Sequence, residues 1–226
     1  MEFFVTHQTV EHYSGDCAVA FVFKDKTHQN KDLQQLLELN RFDATLGATL
    51  MLSQVSGYKT KRLLIVGLGD TSLNEKNYMK VLQSLSSALS DAKVKNVVIA
   101  DIQIDNRDES WVQLTTARVL KNASYQVEKV DAKEENEKHT LEAVSIYSEN
   151  NDATEINKGL AIANGMALTR RLGDLPSNIC TPSYLAETAK SLAKNYKLEC
   201  EVLEESDMEA LGMHSLLSVS KGSSEP

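Results

Sequence analysis

KRLLIVGLGD, residues 61–70, decides how the rest of the chain is read. Leu63, Leu64, Ile65 and Val66 form an apolar run without polar alternation, closed by Gly67 and Gly69. A strand covered on both faces has this composition, and such strands belong to parallel sheets flanked by helices. Downstream, residues 74–92 carry Tyr78, Val81, Leu82, Leu85, Ala88 and Leu89 at helical spacing, with Asn74 placed to cap. NVVIA, residues 96–100, is a second buried strand, and strand, helix, strand predicts a βαβ crossover.

Working outward, strands are predicted over residues 3–6, 18–23, 49–55 and 140–147, with Gly57 turning the chain after the third. A short helix over 32–39 places Leu33, Leu36 and Leu37 on one side. Another begins at Ser110, whose spacing to Gln113 is that of a capping box, and carries Val112, Thr115, Thr116, Val119 and Leu120 on one face. The polar stretch SENND, residues 148–152, marks a composition change, so a domain over 1–150 and a second segment over 151–226 are expected. Asp152 and Glu155 have capping-box spacing for a helix reaching about Leu172, striped by Ile156, Leu160, Ala163 and Ala167. Its small residues Gly159, Ala163, Gly165 and Ala167 would admit a close neighbour. Thr181-Pro182 is a strong helix start, and Leu185, Ala189, Leu192, Ala193 and Tyr196 line that helix. Residues 197–203 alternate as a strand would, and a helix over 206–211 ends at Gly212.

The totals exclude several functions. The chain has 226 residues, enough for one domain and part of another, and its 42% hydrophobic and 25% charged residues are those of a globular protein. A formal charge of -8 disfavours general binding to nucleic acid. The acidic stretch 131–137 reads as a solvated loop or linker. Cys17, Cys180 and Cys200 lack the spacing of a disulfide framework or a structural zinc site. No secretory leader or membrane span is visible, and a soluble cytoplasmic protein is expected.

Individual residues give little chemistry. His7 and His12 are not spaced as a helical zinc pair, and His28, His139 and His214 stand alone, His214 as a packing or hydrogen-bonding residue. Gly67-Leu68-Gly69 is the best candidate ligand loop, since backbone amides after a strand can face a phosphate. It lacks the third glycine of a dinucleotide fingerprint and the lysine of a P-loop, so a structural turn is favoured. No serine sits in a nucleophile elbow.

RRLGDLPSNICTPSYLAETAK, residues 170–190, followed by MEALGMHSLLSVSKGSSEP, residues 208–226, resembles the segment of leucyl aminopeptidases that joins the N-terminal to the catalytic domain. Arg170, Leu172, Pro176, Asn178, Thr181 and Pro182, then Leu211, Gly212, Met213, Val219, Gly222 and Ser223, carry the pattern. Asp174 stands where Asn is usual, and Ser220-Lys221 replaces Gly-Gln, which puts the local turn geometry in question. The resemblance is weaker around residues 61–92, where the family also has a strand ending in a Val-Gly-Leu-Gly turn.

The resemblance implies an α/β protein: a three-layer αβα, macrodomain-like mixed sheet, followed by the start of an α/β catalytic domain. It implies a metalloprotease, a hydrolase using two divalent ions, manganese or zinc, to remove N-terminal residues from peptides within a homo-hexamer. The family's metal and catalytic segments are missing from this sequence and are expected C-terminal to Pro226. No catalytic, substrate-binding or metal residue is therefore assigned within the chain, and no metal is expected to bind it. Three other roles are weighed: an ADP-ribose module using the glycine loop, a DNA-binding regulator using Lys59, Lys61 and Arg62, and a pure assembly domain.

Overall fold

In the computed structural model, the apolar run at 63–66 is fully buried within a sheet, one strand in from its edge. The structure describes residues 1–24, 30–70, 72–127, 141–149 and 152–223. The acidic stretch 131–137, His28, His139 and Pro226 lie outside them.

Six strands form the sheet: β1 (Glu2–Thr6), β2 (Cys17–Val22), β3 (Thr49–Ser53), β4 (Arg62–Gly67), β5 (Asn96–Ile99) and β6 (Ala143–Tyr147). Their order is β1-β6-β5-β2-β4-β3, parallel throughout except for β3 against β4. The sheet is thus mixed, with one antiparallel edge. The expected crossover from β4 to β5 exists, but β2 lies between the two strands.

Helices cover both faces. Side chains alternate across β4, so Leu64 and Val66 face one core while Leu63 and Ile65 face the other. The first core is filled by α2 (Glu75–Asp91), which contributes Tyr78, Val81, Leu82, Leu85 and Leu89, and by α3 (Glu109–Ala123), which contributes Val112, Ala117 and Leu120. The second is closed by α1 (Lys31–Leu39) through Leu33 and Leu37, with Val10 and Val55 from loops. Each fully buried aliphatic side chain of β4 contributes about 1.5–3 kcal/mol relative to exposure. Losing the apolar character of this one strand would therefore cost both cores.

Capping follows local chemistry. Asn74 accepts from the Asn77 amide at 3.0 Å, as its position predicts. The start of α3 differs from expectation: Asp108, two residues before Ser110, caps it by accepting from the Trp111 amide at 2.9 Å. A carboxylate at that position also favours the positive end of the helix. Gln113 then donates to Glu109 at 2.8 Å.

The chain divides into two compact units, Met1–Ala167 and Leu168–Pro226. The division falls within α4 (Thr154–Asp174), which begins where Asp152 accepts from the Thr154 amide at 2.8 Å. Glu155 pairs with Lys158 at 2.6 Å. Gly159 allows the closest approach: a Cβ there would lie 2.3 Å from the Leu114 carbonyl oxygen. At Gly165 a Cβ would meet nothing within 4 Å, so the small residues of α4 are not equivalent.

The second unit holds the end of α4 with α5 (Pro182–Tyr196), α6 (Glu205–Ala210) and α7 (His214–Ser220). Thr181 caps α5 by accepting from the Tyr184 amide, with Pro182 in the first turn. The strand expected over 197–203 does not form. Lys197 closes α5 in the left-handed region, at φ 55°, and the Leu198 amide donates back to Ala193 at 2.9 Å. Alternation alone makes no strand, because a ladder needs a partner. Gly212, at φ 73°, ends the α6 turn.

Candidate functional site

Strand order reverses between β2 and β5, and clefts in sheets of this kind open at the carboxyl ends on either side of such a reversal. Here Phe21, Phe23, Leu68, Leu73 and Ile102 line a cleft of 290 Å³ with Asp101 and Asp105 among them. A neighbouring cleft of 430 Å³ shares Asp101 and extends past Arg107 and Asp108 to Tyr147, Ser148 and Glu149.

The glycine loop lies at this edge, and its amides are spent. Gly67 donates to Ala48 at 2.8 Å, Leu68 to Val22 at 2.8 Å and Gly69 to Ala44 at 2.9 Å. Its carbonyls are used as well: Gly67 accepts from Gly47 and Gly69 from Lys24. A Cβ on Gly67 would lie 2.3 Å from the Thr45 carbonyl oxygen. Gly69 takes φ 76°, the left-handed region that glycine enters without cost. The loop is a joint that seats residues 44–48 against the sheet, and it has no amide left for a phosphate.

Electrostatics at this edge agree. Asp101, Asp105, Asp108, Glu109 and Glu149 are exposed around the clefts. The Arg107 guanidinium is held by Glu75 at 2.5 Å and lies 5.2 Å from the centre of the Trp111 ring. An incoming diphosphate would meet carboxylates, and the nearby cation is already engaged. Glu109 accepts from the buried Ser148 hydroxyl and from Gln113, which ties the start of α3 to the end of β6. Sequence spacing gave no signal of that contact, since the residues are 39 apart.

The other candidates are dispersed. His7 Nδ1 lies 3.0 Å from the Ser148 carbonyl oxygen, and His12 Nδ1 lies 3.0 Å from the Thr9 hydroxyl. His214 is exposed at the first position of α7. Among the described residues no three His, Cys, Asp or Glu side chains are grouped to hold a metal ion, so the donor set does not fit a two-metal centre. Cys17 is buried, and burial pushes its thiol up to about 12; Cys180 is partly exposed and Cys200 exposed. No described helix is long and apolar enough to cross a membrane. Lys59, Lys61 and Arg62 do converge, at the opposite, amino edge of the sheet. There Arg62 bonds Asp16 at 2.5 Å and the Ala92 carbonyl, while Lys59 and Lys61 stay exposed.

Comparison with known proteins places this scaffold. The N-terminal domain of the cytosol aminopeptidase family matches residues 18–134, and that family's catalytic domain matches residues 167–226. A probable cytosol aminopeptidase of Vesicomyosocius okutanii subsp. Calyptogena okutanii (strain HA) is 47% identical over 227 residues, covering 100% of this chain and 47% of that protein. One from Azoarcus sp. (strain BH72) is 38% identical over 211 residues, covering 89% and 42%. The chain thus spans less than half the length of these two relatives. Two solved structures share the fold. A tomato leucine aminopeptidase mutant superposes with a TM-score of 0.69 at 23% identity, covering 94% of this chain and 46% of that one. The bottromycin maturation enzyme BotP does so with a TM-score of 0.76 at 19% identity, covering 94% and 44%. A parallel core with one antiparallel edge matches the N-terminal domain of this family, and the helical segment after it matches the family's catalytic domain: the chain belongs to the cytosol aminopeptidase family.

Proposed function

We propose that this chain is the front portion of a metal-dependent leucyl aminopeptidase whose catalytic centre lies in residues beyond the 226 described by the sequence. The observation that carries the reading is the pairing of full coverage with half length. A relative 47% identical across the whole chain has as much sequence again, and the catalytic-domain match starts at residue 167. The second unit supports it: α5, α6 and α7 have no buried side chain, and Leu198, Leu211 and Val219 are exposed. These are the faces that the remainder of a catalytic domain would cover.

In this reading the domain boundary lies at 150/151, and α4 links a macrodomain-like assembly domain to the start of the catalytic domain. The intact protein is a cytoplasmic homo-hexamer acting on peptides, with leucine among the favoured N-terminal residues. Two divalent ions, manganese or zinc, supply a hydroxide near neutral pH and polarise the scissile carbonyl when bound. The residues of this chain hold neither ion; they fold, join and orient. BotP has been solved in complex with Mn, which supports manganese as the first metal to test.

The test extends the 226 residues with the rest of the natural reading frame. The extended protein should bind two manganese ions per chain, hydrolyse leucine p-nitroanilide and sediment as a hexamer. An extended protein that binds no metal pair would refute the reading.

A further inference from the structure

The amino edge of the sheet carries a feature that the peptidase reading does not use. Three adjacent strands, β5, β2 and β4, begin side by side there. The two outer strands are each entered through the same short pattern, Lys93-Val94-Lys95 before β5 and Lys59-Thr60-Lys61 before β4. In each the middle residue is buried, Val94 fully and Thr60 to 4% exposure, so both flanking lysines are turned outward. Between them, Gly15-Asp16 leads into β2.

The result is a pocket of 640 Å³ lined by Lys59, Lys61, Lys93 and Lys95, with Gly15, Asp16 and Asn96 completing the wall. Its centre is tied by hydrogen bonds. Asp16 accepts from the Lys95 amide at 2.9 Å and from Arg62, while its own amide donates to Asn96 Oδ1 at 2.7 Å. Gly15 is required by space, because a Cβ there would lie 2.7 Å from Asn96 Oδ1 and 2.5 Å from the Tyr13 ring. Burial alone would raise the Asp16 carboxyl, but the Lys95 amide, the Arg62 bond and charge, and the Lys61 charge together hold it below its ordinary value of 3.8. Asp16 is therefore ionised and balanced by Arg62, which leaves four ammonium charges facing the pocket. No lysine of the four forms an ion pair among the described residues, although Glu11, Asp91 and Glu142 are close along the chain or through backbone bonds. In a protein of charge -8 this concentration runs against the whole.

We infer that this basket of four lysines is a binding site for a small oligophosphate, either free or as the phosphate tail of a nucleotide. Ammonium groups recognise phosphate as point charges, and several around one concavity suit a compact multivalent anion. The lining holds no aromatic ring on which a base could stack and no large apolar anchor for a protein partner. Charge is what the pocket offers. The site is independent of the peptidase reading and lies at the opposite edge of the sheet from the carboxyl-end clefts.

Calorimetry on the 226-residue chain at low ionic strength tests it, with tripolyphosphate, ATP and AMP as probes. Tripolyphosphate and ATP should bind alike and AMP much more weakly, because the nucleoside finds no partner. Affinity should fall with added salt. The double variant Lys61→Ser/Lys93→Ser should weaken tripolyphosphate by about tenfold or more, while Lys76→Ser/Lys80→Ser, two exposed lysines of α2 outside the pocket, should change it by less than about twofold. Circular dichroism of both variants should match the parent. No heat with millimolar tripolyphosphate overturns the site. So does equal loss in the two double variants, which would mean diffuse charge. Duplex DNA bound more tightly than tripolyphosphate, with the same sensitivity to Lys61→Ser/Lys93→Ser, would also overturn it.

Discussion

Replacing Tyr78 and Thr116 separately and together measures how the first core tolerates its polar pair. Tyr78 is fully buried, and its hydroxyl lies 2.6 Å from Thr116 Oγ. Thr116 Oγ in turn donates to the Val112 carbonyl at 2.7 Å, so its single proton is used and Tyr78 must be the donor of the pair. The two deletions are therefore unequal. Tyr78→Phe removes a donor and leaves Thr116 bonded to Val112, which costs about 0.5–1.5 kcal/mol for the lost bond. Thr116→Val keeps the shape but strands the Tyr78 hydroxyl in a dry core, which costs about 1–3 kcal/mol. The double variant leaves nothing stranded and should be more stable than Thr116→Val alone. Urea unfolding followed by fluorescence is a suitable assay, because the sole tryptophan, Trp111, sits 6.0 Å from the Tyr78 ring and reports on this core. If Thr116→Val proves no worse than Tyr78→Phe, the assigned donor direction is wrong, and if the effects simply add, the two hydroxyls do not interact at all.

Gly67→Ala should destabilise the fold by about 1–3 kcal/mol in the same assay, since its Cβ would press on the Ala44–Thr45 backbone. Gly165→Ala, in open space on α4, should instead stabilise by about 0.5–1 kcal/mol, read as a rise in Tm by circular dichroism. Asp16→Asn should be less stable than the parent near pH 7. Because the folded carboxyl titrates below 3.8, its contribution is present above that value and lost as pH falls through the folded one, so the two unfolding midpoints should converge in acid. With its thiol pushed to about 12, Cys17 should resist iodoacetamide at pH 8, where roughly one thiol in ten thousand would be ionised, while Cys200 reacts; mass spectrometry of the labelled protein resolves the two.

The sheet was largely legible because burial on both faces leaves a clear mark in composition. Residues 63–66 and 96–99 could satisfy their apolar side chains only between helix layers, and they do so. Asn74 and Thr181 were legible for a local reason, since a cap answers to its own next three residues. Residues 197–203 show where pattern fails: alternation there meets no partner strand among the described residues. The start of α3 shows a subtler failure, in which Asp108 and Ser110 both suit a cap and the carboxylate nearer the preceding loop prevails. The glycine loop could not be judged from sequence, because whether its amides are open depends on Val22, Ala44 and Ala48, all distant along the chain. The four-lysine pocket was half visible. Lys59 and Lys61 stood out in a basic cluster with Arg62, but Lys93 and Lys95 join them only because β5 and β4 flank β2.

The most direct measurement of the central claim is hydrolysis of leucine p-nitroanilide by the purified 226-residue chain with manganese or zinc supplied. A centre that lies outside these residues predicts no release of p-nitroaniline above the metal-only blank. Sustained turnover that copurifies with the chain and is abolished by a chelator would contradict it.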